Sequence, residues 1–256
     1  MPSYLLQSHQ LAAFARFVTP DTLFAFDLDG TLTQIVEGRS GAVVAEPVRN
    51  ALKRLAGLAK VAVITGRSRR DAQTLLGFQP HLLIGNQGAE WPGEDERNRH
   101  FTELCLKWRE RLHEALFLHG VEVEFKGESI SLHYRQAFDP EAALSRIHTV
   151  IDALEPNPRR IGGKYVVNVV PREAPDKGDA LVTSMERLGC GKAIYFGDDE
   201  TDEDVFRLKR ADLFGVHVGK DEQTAADYYL AQQSEMLGLL GVALGRLESA
   251  AGTDRG

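Results

Sequence analysis

The chain has 256 residues, of which 43% are hydrophobic and 26% are charged, a composition typical of a globular protein with a sizeable core. Its formal net charge of −7 argues against a polyanion-binding surface, so we expect no nucleic-acid partner. Cys105 and Cys190 lie far apart without paired spacing, which indicates neither a disulfide framework nor a zinc site.

The beginning of the sequence lacks a basic start followed by an apolar stretch, and no apolar run approaches membrane-spanning length. Together with the cysteine usage, this predicts a cytoplasmic protein without a membrane partner. We expect a monomer.

The first part of the chain alternates helices and strands. Apolar spacing predicts three helices, over residues 9–17, from Pro47 to about residue 58, and from a Ser68 N-cap to about residue 76. Apolar runs predict three strands, over residues 23–26, 61–64 and 81–84. Strands that alternate with helices predict a parallel, right-handed βαβ sheet, in which ligands bind beyond the carboxyl ends of the strands. The glycine-containing stretch 33–45 is predicted as an excursion from the sheet and a candidate flap over the site.

The pattern changes after Trp91, where Pro92, Gly93 and the charged run 94–99 predict a domain boundary. The order beyond it is helix, two strands, helix, two strands, predicted over residues 101–116, 121–125, 130–134, 140–153, 159–161 and 165–170. This order predicts an α+β cap domain over 97–174, whose open-faced sheet covers a site.

The βα pattern then returns. The predicted elements are a helix over 177–188, strands over 193–196, 213–218 and 228–231, and a helix over 236–247. We therefore predict an α/β fold with a Rossmann-like parallel sheet core, in two parts over 1–96 and 175–256, and an inserted α+β cap.

Acidic residues follow two of the predicted core strands. Asp27 and Asp29 lean to the same side of the chain after strand 23–26, and an acidic cluster beginning at Asp198 follows strand 193–196. Carboxylates gathered at one sheet edge suit a hard cation, Mg²⁺ above all. The glycine and glutamate positions of a calcium-binding EF-hand are absent from both runs.

A phosphoryl-transfer site is the chemistry that these strand ends favour. Asp27 would attack phosphorus, and Asp29 would protonate the leaving oxygen and later activate water. Thr65 would hold phosphoryl oxygens, and Lys177 would neutralise their charge.

Four ordered motifs resemble those of the haloacid dehalogenase-like (HAD-like) phosphatases: DLDGT from Asp27, Thr65-Gly66-Arg67, Lys177 in Asp-Lys-Gly, and GDDETDEDVF from Gly197. The resemblance implies Asp27 as nucleophile, Asp29 as general acid and base, and Thr65 and Lys177 as phosphate ligands. It implies Mg²⁺ held by the Asp27 carboxylate, the Asp29 backbone carbonyl and Asp198, with Asp199 and Asp202 in support.

Within that superfamily the chain is most similar to trehalose-6-phosphate phosphatases. The similarity is carried by Gly88-Ala89-Glu90, by Glu124-Phe125-Lys126 and by the Leu132-His133-Tyr134-Arg135 run, together with the four motifs. It implies that Glu124 and Lys126 bind sugar hydroxyls. Other expected substrate ligands are Gly66, Arg67, Glu90 and Asn168, although an ion pair is an equal expectation for Arg67 and Glu90.

The sequence departs from that family at three positions. Asn168 stands where a sugar-binding glutamate is expected, and Gln34 and Gln87 stand where proline and histidine are expected. Asn168 keeps an amide donor and acceptor without the charge. The alternatives are a phosphatase for sucrose phosphate, a glucosylglycerol phosphate or a hexose phosphate, or a non-catalytic sugar-phosphate-binding module.

Overall fold

The structure, a computed structural model, describes residues 1–34, 43–93, 95–163 and 165–253. It divides into a first unit, Met1–Gly88 with Asp176–Gly256, and a second unit, Ala89–Pro175. The second unit begins before residue 97 because Ala89 packs in a small apolar cluster with Phe101 and Val170.

Eleven strands and eight α-helices are described along these segments. The strands are β1 Ser3–Tyr4, β2 Thr22–Phe26, β3 Lys60–Ile64, β4 Leu82–Ile84, β5 Glu122–Phe125, β6 Ile130–His133, β7 Arg159–Gly163, β8 Val166–Val170, β9 Lys192–Gly197, β10 Leu213–Val218 and β11 Tyr228–Leu230. The helices are α1 Ser8–Phe17, α2 Glu46–Ala56, α3 Arg69–Leu76, α4 Asp95–Leu116, α5 Pro140–Asp152, α6 Lys177–Leu188, α7 Glu203–Phe206 and α8 Met236–Thr253.

The first unit is built on a seven-stranded sheet in the order β1-β11-β10-β9-β2-β3-β4, with parallel pairing throughout the described strands. All five residues of the interior strand β2 are buried, as expected for a parallel sheet covered on both faces. Phe26 and Phe196 are paired in register, and their rings stack with centroids 5.0 Å apart. The segments that follow β2 and β9 therefore leave the sheet side by side.

The second unit has an antiparallel four-stranded sheet in the order β5-β6-β8-β7. One face carries Ile130, Leu132, Val167 and Val169, which pack in one core with apolar side chains of α4 and α5. Because side chains alternate along each strand, the opposite face carries the polar residues.

The predicted α/β class is confirmed, and most predicted elements lie within a residue or two of the observed ones. The charged run 94–99 is predicted to lie at a domain boundary, and in the structure α4 already begins within it, at Asp95. The strand predicted over 159–161 extends to Gly163. Residues 35–42 of the predicted excursion lie outside the described residues. Of the helices described, none has both the length and the apolar character needed to cross a bilayer.

Candidate active site

The turn after β2 brings the first acidic motif against the second. Gly30 has a φ of +84°, and its N–H donates to the Thr33 carbonyl at 2.9 Å. A Cβ atom at this position would lie 1.9 Å from Oδ2 of Asp198, so only glycine permits the approach. The Thr31 hydroxyl donates to Oδ1 of Asp198 at 2.8 Å. The turn therefore fixes the Asp198 carboxylate beside the end of β2.

Lys177 is the first residue of α6, and its side chain is only 2% exposed. Helix α6 starts there because the Asp176 side chain caps it, accepting the Asp179 N–H at 2.9 Å. Lys177 Nζ donates to Oδ1 of Asp27 at 2.9 Å and to Oδ1 of Asp202 at 2.8 Å. An ammonium group has three donors, so one N–H remains for a further acceptor.

Asp202 organises the site. Its Oδ1 accepts from Lys177 and from the Tyr195 hydroxyl at 2.6 Å, and its Oδ2 accepts the N–H groups of Asp198 and Asp199 at 2.9 and 3.0 Å. Four donors use up the capacity of one carboxylate. Asp202 therefore orients its neighbours and has no lone pair to spare for a cation.

The other residue predicted in support, Asp199, is exposed, and its Oδ1 accepts the Glu200 N–H at 2.7 Å. It caps the short turn that leads to Asp202. Sequence reasoning missed Tyr195, because it lies within an apolar strand; the one signal that could have found it is a tyrosine shortly before an acidic run.

Asp27, Asp198 and Asp202 each place a carboxylate oxygen within 4.8 Å of the others. Burial raises the pKa of Asp27 well above its ordinary value; Asp202 and Asp198 raise it further, and Lys177 opposes the shift. Burial and then Asp202 raise the pKa of Asp198 to about 7. Burial lowers the pKa of Lys177, but Asp202 and Asp27 outweigh it, so the net shift is upward.

The acidic cluster fits a divalent cation. With all three carboxylates ionised and Lys177 protonated, the buried site would carry a charge of −2, which a divalent ion would neutralise. Among the described residues, Oδ2 of Asp27 and Oδ2 of Asp198 have no hydrogen-bond donor. Two carboxylate oxygens at one buried site are donors that hard cations prefer.

The Asp29 carboxylate lies outside this cluster. Both of its oxygens accept from Arg67, Oδ2 from Nε at 2.6 Å and Oδ1 from Nη2 at 2.8 Å, while Nη1 of Arg67 donates to Asp71 at 2.7 Å. The hydrogen bond to Asp29 is the largest cause of a raised Arg67 pKa. The sequence placed Asp27 and Asp29 together, whereas their side chains have different partners in the structure.

Thr65 and Gly66 follow β3. Thr65 is buried, and its Oγ1 accepts the Arg67 N–H at 3.2 Å, which leaves the hydroxyl proton to donate elsewhere. Gly66 lies beneath Gln87, because a Cβ atom there would be 2.4 Å from Gln87 Nε2. Thr65, Gly66 and Arg67 thus form a tight loop beside the end of β2, which is the neighbour of β3.

The predicted sugar ligands share the polar face of the second unit. Glu124, Ser131 and Asn168 lie opposite one another across β5, β6 and β8. Glu124 Oε2 lies 3.0 Å from His133 Nε2 and 3.9 Å from Lys126 Nζ. The Ser131 hydroxyl donates to Oδ1 of Asn168 at 2.5 Å.

The Ser131 contact uses the amide oxygen of Asn168 as its acceptor. Glu90 is half-buried in the segment between β4 and α4.

The sequence model of the trehalose-phosphatase family matches residues 25–234. The chain belongs to the trehalose-phosphatase family. An Arabidopsis thaliana relative, described as probable trehalose-phosphate phosphatase D, is 32% identical over 82% of this chain and 63% of its own length. A Zea mays relative named as a trehalose 6-phosphate phosphatase is 28% identical over 92% of this chain and 72% of its own length. The chain thus spans less than two thirds of the Arabidopsis relative.

Solved structures support the same fold. An Aspergillus fumigatus trehalose-6-phosphate phosphatase structure is 26% identical, covers 96% of this chain and 99% of its own, and has a TM-score of 0.67. The C-terminal domain of the Candida albicans trehalose-6-phosphate phosphatase, at 21% identity, covers 95% of this chain and 98% of its own with a TM-score of 0.73. A haloacid dehalogenase-like hydrolase from Bacteroides thetaiotaomicron, at 16% identity and a TM-score of 0.61, covers 86% of this chain and 98% of its own.

Proposed function

We propose that the chain hydrolyses trehalose 6-phosphate to trehalose and inorganic phosphate in a Mg²⁺-dependent reaction. The observation that carries this proposal is the buried Lys177 ammonium, held between Asp27 and Asp202 within a cluster of three carboxylates. A cation beside clustered carboxylates supports phosphoryl transfer, which uses a nucleophile, a positive charge and a metal-binding group around one point. The names of the relatives support the choice of sugar phosphate.

In the first step, the Asp27 carboxylate attacks phosphorus and the bond from phosphorus to the sugar oxygen breaks. The third N–H of Lys177 and the Thr65 hydroxyl donate to the phosphoryl oxygens, and Asp29 gives a proton to the leaving sugar oxygen. In the second step, Asp29 takes a proton from water, whose oxygen attacks the aspartyl-phosphate. This step returns Asp27 as a carboxylate and releases phosphate.

The Asp29 carboxyl can reach the leaving oxygen only after its contact with Arg67 has opened. Both of its oxygens accept hydrogen bonds from the Arg67 guanidinium in a bidentate contact. A phosphate ester is a competing partner for the same guanidinium. We infer that the phosphate of the substrate binds Arg67 and breaks its contact with Asp29. Arg67 is then a substrate ligand, and the Asp29 carboxyl becomes available to the leaving oxygen.

Mg²⁺ would be held by the carboxylates of Asp27 and Asp198 with the backbone carbonyl of Asp29. When bound, it would supply charge neutralisation and polarisation of the phosphoryl group. Asp202 holds Asp198 through the backbone N–H of that residue, so it acts on this site as a positioning group.

The second unit would recognise the sugar. Glu124 and Lys126 offer an acceptor and a charged donor, and Asn168 offers amide donors, which together suit the paired donors and acceptors of sugar hydroxyls. Gly66 and Glu90 remain proposed substrate ligands.

Phosphate release from a panel of phosphorylated mono- and disaccharides, with and without Mg²⁺, tests the function. Trehalose 6-phosphate should have the highest kcat/KM. A higher value for sucrose phosphate, a glucosylglycerol phosphate or a hexose phosphate would reassign the substrate, and no release from any ester would favour a binding module.

Asp27→Asn tests the mechanism. The amide cannot form the covalent intermediate, so turnover should vanish while the thermal unfolding transition remains cooperative. Asp21→Asn, which changes an exposed carboxylate that accepts the Gly191 N–H, is the control and should retain turnover. Robust phosphate release by Asp27→Asn would remove the nucleophile assignment.

A further inference from the structure

A strained turn lies beside the loop of Thr65, Gly66 and Arg67, which we name the phosphate loop after its proposed role. Asn86 and Gln87 follow β4 with φ values of +49° and +61°. Asparagine adopts this left-handed conformation readily, but glutamine seldom does. Strain of this kind persists only where surrounding contacts impose it, and it concentrates at functional sites.

Two backbone hydrogen bonds tie the turn to the loop. The Gln87 N–H donates to the Thr65 carbonyl at 2.9 Å, and the Asn86 N–H donates to the Arg67 carbonyl at 2.8 Å. Helix α6, which begins with Lys177, also packs against the turn. The position of Gln87 is therefore fixed relative to two of the groups that the proposed function assigns to phosphate.

The Gln87 side chain lies over Gly66, and its amide is poorly satisfied. Its Oε1 is buried and has no hydrogen-bond partner among the described residues, although such an acceptor lowers stability. The residue as a whole is half-buried. Among the described residues, Oε1 is a buried amide atom without a partner and Nε2 is not, so Nε2 is the end of the amide that a ligand could reach. Gly66 makes room for this placement, since any larger residue would displace Nε2.

We infer that Gln87 is a further phosphate-binding residue, whose Nε2–H donates to a phosphoryl oxygen beside Thr65. The inference rests on the proposed phosphatase function. A neutral donor aimed at the phosphoryl group acts on every phosphate monoester alike, in contrast to the sugar-binding residues of the second unit. The positive φ of Gln87 and its unpartnered Oε1 both lower the stability of the fold, and both follow from holding Nε2 beside Thr65.

Gln87→Leu removes the donor and the unpartnered Oε1 together. We expect kcat/KM to fall roughly tenfold, by the same factor for trehalose 6-phosphate and for p-nitrophenyl phosphate, because a hydrogen bond to a charged group is lost. The melting temperature should stay the same or rise, since a buried unsatisfied acceptor disappears. Gln87→Glu keeps the shape but puts a negative charge against the phosphoryl group, so its loss should be larger.

Gln10→Leu is the matched control, because Gln10 on α1 also has a buried Oε1 without a partner. It should show a similar change in melting temperature and unchanged kinetics. The inference is overturned by wild-type kinetics in both Gln87 variants, by a loss confined to the sugar phosphate, or by a fall in melting temperature that accounts for the lost activity.

Calorimetric titration with inorganic phosphate separates this inference from the proposed function, because it needs no turnover. If the wild-type chain hydrolyses no ester, the proposed function fails, but weaker phosphate binding by Gln87→Glu would still support the inference. If the wild-type chain is an active phosphatase and both variants bind phosphate as it does, only the inference fails.

Discussion

Lys177 faces two buried carboxylates, those of Asp27 and Asp202, at hydrogen-bond distance. Removing one member of a buried ion pair leaves an uncompensated charge away from water, which costs about 3–5 kcal/mol. Lys177→Met should therefore lower the free energy of unfolding by roughly that amount at neutral pH. Denaturant titration without added Mg²⁺ measures the loss.

Lys209→Met provides the comparison, since Lys209 pairs with Asp227 at 3.1 Å where both side chains are more than half exposed. An exposed pair of this kind contributes about 1 kcal/mol or less. Equal losses in the two variants would mean that the Lys177 contacts do not hold the site together. Added Mg²⁺ should restore part of the stability lost in Lys177→Met only.

Asp198 links metal binding to pH. Its folded-state pKa of about 7 lies above its ordinary value, so the metal-free fold favours the protonated form. That contribution to stability is complete at low pH and is lost as pH rises through about 7. A cation needs the ionised form, so Mg²⁺ affinity should rise about tenfold from about pH 6 to about pH 8. Calorimetric titrations at the two pH values check this, and a flat profile would contradict it.

Helix α6 packs closely against α7 at Gly178. A Cβ atom on Gly178 would lie 2.7 Å from the Asp204 carbonyl oxygen in α7, which directly follows Asp202. The close approach of the two helices is what allows Lys177 to reach Asp202. A side chain at position 178 would separate them.

Gly178→Ala should therefore reduce both stability and turnover. Overpacking costs about 1–3 kcal/mol, and a small displacement of Lys177 should lower kcat/KM roughly ten- to hundredfold. Gly241→Ala is the opposite case, because Gly241 lies inside α8 with open space around it. It should stabilise the protein by about 0.5–1 kcal/mol without changing turnover. Thermal unfolding and phosphate release on both variants decide whether helix spacing matters.

Across the whole chain, periodicity predicted the elements because each strand of the parallel sheet is a short buried apolar run. It also predicted that acidic strand ends meet at one edge. It could not identify Asp202 as the organising carboxylate, because six of the seven residues from Asp198 to Asp204 are acidic and only the contacts with Tyr195 and Lys177 single one out. The alternation of polar and apolar residues also could not predict the strand order of the second unit, which pairs Asn168 with Ser131.

The Lys126→Ala variant tests whether a contact with the sugar contributes to the reaction at phosphorus. The Lys126 side chain is 17% exposed, and Nζ lies 3.9 Å from Glu124 Oε2. An ammonium group offers three N–H donors, a type of group that can bind a sugar hydroxyl. Loss of a charged hydrogen bond costs roughly ten- to hundredfold in affinity. Lys126→Ala should lower kcat/KM by that factor for trehalose 6-phosphate and leave p-nitrophenyl phosphate unchanged.

Lys107→Ala, which removes an exposed lysine from α4 of the same unit, should leave both substrates unaffected. An equal loss on the two substrates in Lys126→Ala would indicate damage to the fold or to phosphate binding, and would remove the sugar-binding assignment. A selective loss has a different meaning: a contact remote from phosphorus then contributes to stabilising the transition state.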